Sequence, residues 1–307
     1  MQILKALLFI FPLVWVTSAV TYHRTDQIID AAFNTAFDYQ AIVDPRLATD
    51  ESYINQTTAT SRNITFASSD TFILHITPIS PMGRDSVRMR SRKTFTSHVA
   101  IFDVRHMPVG CGTWPAIWEV KEASWPNTGE VDLVEGVHGQ APNQAALHTS
   151  AGCTMPSSTS GMTGTWKETN CNTGSGCNIA FADPRSFSAS FSNNGGGIFA
   201  FERTDQFMKV WLFARGSSIL PEVLNRAATI KTDNWKPRAA YFPNTSCNIA
   251  SKFAAHNIII NLTLCGDWAG NVYPSSCPST CTNHVNTNPA AFKDAFWDFK
   301  AVNLYAP

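Results

Sequence analysis

Short apolar stretches bounded by turn-forming residues dominate the chain. Phe72-Ile73-Leu74-His75-Ile76, Val99-Ala100-Ile101-Phe102-Asp103-Val104, Phe199-Ala200-Phe201 and Met208-Lys209-Val210-Trp211-Leu212-Phe213 are rich in β-branched or aromatic residues, with Gly, Pro, Asn or Ser at their ends. That pattern predicts strands. Helical periodicity is confined to residues 291–299, which reads as one short turn before a last strand. No internal repeat and no Ser/Thr/Pro-rich linker interrupts the chain. The pattern therefore predicts an all-β domain, a β-sandwich.

One strand-like run carries unusual chemistry. Gly129-Glu130-Val131-Asp132-Leu133-Val134-Glu135-Gly136 places three carboxylates among β-branched and apolar residues. Strand side chains alternate between faces, so Glu130 and Asp132 share one face and Glu135 would point away. A β-bulge at Leu133 or Val134 returns Glu135 to the acidic face and leaves the other face apolar. An ordinary acidic run is a solvated turn or edge strand, which has no need of such an apolar second face. Three carboxyls held together raise the pKa of at least one of them. Glycoside hydrolysis needs that separation into an ionised nucleophile and a protonated general acid.

Composition narrows the partner. Of 307 residues, 44% are hydrophobic and only 15% charged, against roughly 25% charged in typical soluble domains. Basic and acidic residues number 23 each, a formal net charge of +0. Nothing here favours nucleic acid or an anionic membrane, and a neutral polymer such as a polysaccharide fits better. Residues 1–19 read as a secretory signal: Lys5, an apolar run interrupted by Pro12, then Thr17-Ser18-Ala19. Leu304-Tyr305-Ala306-Pro307 lacks the hydrophobic tail of a lipid-anchor signal. A secreted, extracellular and monomeric protein is expected, with residues 20–307 as one catalytic domain.

The cysteines agree with that compartment. All eight (Cys111, Cys153, Cys171, Cys177, Cys247, Cys265, Cys277 and Cys281) follow the signal. An even count in an oxidising environment predicts disulfides, with the pairing open. Cys277-x-x-x-Cys281 finds no second pair to complete a zinc site, so no metal and no cofactor is expected at the site; a structural calcium elsewhere stays open. Asn55, Asn63 and Asn244 head glycosylation sequons. A fourth, at Asn261, lies inside the strand-like Ile258-Ile259-Ile260-Asn261-Leu262 and is expected to stay unmodified.

Several segments together resemble glycoside hydrolase family 16, closest to its fungal laminarinase-like branch. They are Gly110-Cys111-Gly112-Thr113-Trp114-Pro115-Ala116-Ile117-Trp118, Trp125-Pro126-Asn127-Thr128-Gly129, the acidic strand itself and Leu147-His148-Thr149-Ser150. The resemblance implies a jelly roll with curved sheets and a substrate cleft on the concave face. It implies Glu130 as nucleophile, Glu135 as acid/base and Asp132 as their assistant. It singles out Arg88, among Arg88, Arg90 and Arg92, as a cleft residue that hydrogen-bonds substrate, and it sets His148 on the neighbouring strand on the leaving-group side. Trp114, Trp118, Trp125 and Trp268 are further substrate-binding candidates, with Trp118 and Trp125 as sugar-stacking platforms. The chain departs from the branch at residues 46–52, which lack a usual Gly, and at residues 77–83, which look shortened. Both bear on subsite number and branch tolerance.

The function so implied is a secreted retaining endo-β-glucanase acting on β-1,3 or mixed β-1,3/1,4 glucans. Laminarin and lichenan remain equivalent choices at this level. A cell-wall transglycosylase would use the same chemistry with a sugar acceptor, but the chain carries no lipid-anchor tail and no Ser/Thr-rich stalk. A silent β-glucan-binding relative would be expected to lose one glutamate, and both are present.

Overall fold

Two large antiparallel sheets face each other in this computed structural model, which describes residues 20–42, 51–76, 84–158, 160–235 and 237–307. The signal-like residues 1–19, residues 77–83 and most of residues 46–52 lie outside the described set. The cleft sheet has 8 strands, in the order Thr165–Glu168, Cys177–Ala180, Gln144–His148, Glu130–Glu135, Thr113–Val120, Asn257–Leu264, Arg88–Ser91 and Phe37–Tyr39. The acidic strand is thus interior to its sheet, with neighbours on both sides. The opposing sheet is built around Trp297–Ala306, His98–His106, Gly197–Arg203 and Phe207–Ala214.

The predicted strands are all present, mostly with longer bounds than the apolar runs suggested, as expected when pairing extends past the apolar residues. Residues 291–299 divide into a 3₁₀ turn at Pro289–Phe292 and the start of Trp297–Ala306. Phe33, Phe72, Phe102, Leu133, Val134, Phe199, Ile260 and Phe299 belong to the core between the sheets. A second apolar layer covers the outer face of the opposing sheet, where Val99, Ile101, Ala200 and Trp211 pack with Val223 and Trp235. That layer explains why Gly197–Arg203 is buried along its whole length. Burial of both faces removes the alternation that usually marks a half-buried strand.

All eight cysteines pair, as Cys111–Cys277, Cys153–Cys247, Cys171–Cys177 and Cys265–Cys281. Two of these bonds fasten the 265–281 lobe, which carries Trp268 on the short helix Gly266–Gly270. Asn55 and Asn63 are exposed, Asn244 is half-buried, and Asn261 is buried inside Asn257–Leu264. No helix among the described residues is long and apolar enough to cross a membrane.

Candidate active site

The bulge expected in the acidic strand is present. Against Thr113–Val120 the register runs Asp132↔Trp118, then Val134↔Ile117 and Glu135↔Ala116. Against Gln144–His148 it runs Asp132↔Ala146, then Glu135↔Gln144. Two residues, Leu133 and Val134, therefore occupy the space of one, and both side chains enter the core. Glu130, Asp132 and Glu135 take the other face. Glycines bracket the strand for steric reasons. Gly129 has φ +74°, and a Cβ there would meet the Phe253 ring at 2.4 Å. A Cβ on Gly136 would meet the Phe187 ring at 2.7 Å.

A cleft of about 470 Å³ opens over this face. Glu130, Glu135, Trp114, Trp125, His148 and Trp268 all line it, so the structure brings together most of the residues singled out from sequence. Glu130 and Asp132 are buried, at 7% and 3% exposure, while Glu135 is half-buried. The Trp114 indole N–H donates to Glu135 Oε1 at 2.9 Å. His148 pairs across the ladder with Glu130, and its Nε2 lies 3.3 Å from Asp132 Oδ2. Trp125 is 42% exposed, leaving much of its ring open to a sugar face. Trp268 stands edge-on to Trp114 at 5.7 Å.

Arg88 and Trp118 lie outside the cleft lining but on the same face of the sheet. Trp118 pairs with Asp132, and the Arg88 guanidinium sits 4.7 Å over the Trp118 ring. Arg88 also donates to Gln40 Oε1 at 2.8 Å and pairs with Glu122 at 2.7 Å. Arg90 shares Glu122, and Arg92 turns to Asp38, so the three arginines do not act as one patch. The Trp118 N–H donates to Asn261 Oδ1 at 2.7 Å, which engages the buried fourth sequon in the fold. Sequence reasoning missed Gln144 and Asn178, which also line the cleft. The alternation of Gln144, Ala146 and His148 along one strand was the signal available for Gln144.

Glu130, Asp132 and His148 offer ligand atoms within 4.8 Å of one another and are the residues that could hold a metal ion here. A cation bound there would occupy the Glu130 carboxyl in the cleft. Behind the strand, Glu119 is fully buried, and its Oε1 accepts from His98 Nε2 at 2.8 Å. Burial raises the Glu119 pKa, but His98 and Arg203 outweigh it and hold the carboxyl below the usual range. Burial, reinforced by the Arg203 charge, pushes His256 down to about 4. Its neutral ring donates through Nε2 to the Thr128 carbonyl at 2.7 Å, just before the acidic strand.

A jelly roll with paired glutamates on a bulged inner strand of its cleft sheet defines a glycoside hydrolase. The profile of the XgeA-like catalytic domain of glycoside hydrolase family 16 matches residues 37–305, and the chain belongs to that family. It is 34% identical over 297 residues to a probable glycosidase of Schizosaccharomyces pombe, covering 94% of this chain and 70% of that protein. A probable endo-1,3(4)-beta-glucanase of Aspergillus fumigatus is 39% identical over 241 residues, or 73% of this chain. The match spans only 35% of that longer relative. Among solved structures, GH16 laminarinase 16A from Phanerochaete chrysosporium, with 6-O-glucosyl-laminaritriose in donor and acceptor sites, superposes with TM-score 0.89. It is 49% identical, covering 94% of this chain and 100% of that one. An elongating GH family 16 β-1,3-glucosyltransferase superposes with TM-score 0.85 at 32% identity, covering 93% and 100%.

Proposed function

We propose that this chain is a secreted, retaining endo-β-glucanase that cleaves β-1,3 or mixed β-1,3/1,4 glucans. The observation that carries the reading is the bulge that turns Glu130, Asp132 and Glu135 onto one face of the cleft sheet. Glu130 attacks the anomeric carbon while the glycosidic C–O bond breaks, giving a covalent glycosyl-enzyme. Glu135 delivers its proton to the departing oxygen. It then takes a proton from water as that water displaces Glu130 from the sugar. Asp132, buried between them and beside His148, keeps their charges apart and orients Glu130. Trp125 and Trp268 flank the cleft as stacking surfaces, and Trp118 with Arg88 extends the sugar path toward Phe37–Tyr39.

The identities of the relatives support a β-glucan as substrate, and four disulfides support an extracellular setting. A second reading, transfer to a sugar acceptor, draws on the likeness to the elongating glucosyltransferase. Stereochemistry tests the mechanism, because retaining enzymes hold their carboxyls about 5–5.5 Å apart and inverting ones about 6.5–9.5 Å. Proton NMR during early laminarin cleavage should show the β-anomer forming first. Initial α-anomer would remove Glu130 as nucleophile. Products longer than the substrate, outnumbering hydrolysis products, would favour the transferase reading.

A further inference from the structure

The bulge that defines the site is also its mechanical weak point. A regular ladder holds Glu130, but between Asp132 and Glu135 the register slips and the pairing pattern is broken. Backbone groups at such a step need partners when they are buried. Asn143, itself 0% exposed, stands beside the step. Its Oδ1 accepts from the Glu135 backbone N–H at 3.0 Å, and its Nδ2 donates to the Leu133 carbonyl at 2.8 Å. One amide therefore grips the strand on both sides of Val134. The grip is itself braced. The Asn143 N–H donates to Ser186 Oγ at 2.9 Å, and its carbonyl accepts from the Phe181 N–H at 2.9 Å. Phe187, next to Ser186, packs where any side chain at position 136 would go.

We propose that Asn143 is a positioning residue that fixes the reach of the Glu135 carboxyl through the backbone of the bulge. The inference rests on Glu135 being the acid/base. The amide engages the peptide unit that carries Glu135 through its backbone N–H. Loss of the grip lets Glu135 swing about the bulge while Glu130, on the regular ladder, stays in place. Misplacement by about 1 Å can cost a catalytic group about a hundredfold. The loss should fall on proton delivery to the leaving group and spare nucleophilic attack.

The test compares laminarin, whose leaving group needs a proton, with 2,4-dinitrophenyl β-laminaribioside, whose leaving group does not. For Asn143→Ala, kcat/KM on laminarin should fall by about 10- to 100-fold, with KM nearly unchanged. On the aryl glycoside, kcat/KM should stay within about threefold. Asn143→Asp keeps an acceptor for the Glu135 N–H and should recover part of the loss; it carries the test alone if the alanine variant fails to fold. Equal losses on both substrates, or no loss on laminarin, would overturn the proposal. Glu135→Gln is the control. If that variant fails to separate the two substrates, the acid/base reading itself fails. If it separates them and the Asn143 variants do not, only the role of Asn143 is lost.

Discussion

At one end of the acidic strand, Glu130 is held by a regular ladder and by a buried ionic cluster behind it. There the Thr128 carbonyl accepts from His256 Nε2 and from the Ala254 N–H, and Glu119, His98 and Arg203 lie between the sheets. At the other end, Glu135 sits on a bulge held by a neutral amide, a serine hydroxyl and a phenylalanine ring. The Glu130 end is thus anchored by ionisable side chains, and the Glu135 end by neutral ones. In the proposed mechanism Glu135 gains and loses a proton among neighbours whose charge stays constant.

The sharpest way to break this comparison is to remove each carboxyl. Glu130→Gln should abolish turnover of both laminarin and the aryl glycoside, since no nucleophile remains. Glu135→Gln should lose about 10²- to 10⁴-fold on laminarin while still forming glycosyl-enzyme from the aryl glycoside. Melting temperatures should barely move, because each change is isosteric. A tenth of wild-type laminarin activity in either variant would refute the assignment.

Asp132→Asn belongs to the regular end and should cost less, about tenfold in kcat, with the fold intact. Asp132 lies beside His148, and in the proposed mechanism it tunes the pair without bonding to sugar carbon. A loss as large as that of Glu130→Gln would make Asp132 the nucleophile candidate instead.

The remaining effect is on stability alone. The folded-state pKa of His256 is about 4, against 6.5 ordinarily. As pH falls from about 6.5 toward 4, the unfolded chain takes up this proton first, so stability is lost through that window and fully present above it. The contribution is a slope of up to about 1.4 kcal/mol per pH unit. Denaturant melts of His256→Gln should show a shallower fall over that range. An unchanged slope would show that His256 does not anchor the Glu130 end in its neutral form.

Much of the site is legible in the chain because the acids interrupt a strong apolar pattern. Glu-x-Asp-x-x-Glu with Val131, Leu133 and Val134 between them admits few strand geometries that bury the apolar set, and the bulge follows. Trp114, Trp125 and His148 stand near in sequence to the strands that pair with it. The anchors were not legible. Asn143 follows Ala141-Pro142 and reads as a turn residue, and nothing local says that its amide spans a bulge eight residues earlier. His256 and Glu119 belong to segments 137 residues apart that meet only when Asn257–Leu264 pairs with Thr113–Val120, so neither has a local signature. The outer apolar layer hid for another reason, since doubly buried strands show continuous runs instead of alternation.

Cys265 and Cys281 bring the ends of the Trp268 lobe to within 5.8 Å, and Cys111–Cys277 ties the same lobe to the start of the strand bearing Trp114. Topologically the lobe is a closed cassette clipped to the rim of the sheet. Its residues can be exchanged or lengthened between fixed hinges without cutting a strand of the sandwich. Recombination among relatives, natural or designed, could therefore vary one wall of the cleft while the bulge and its two glutamates are inherited intact.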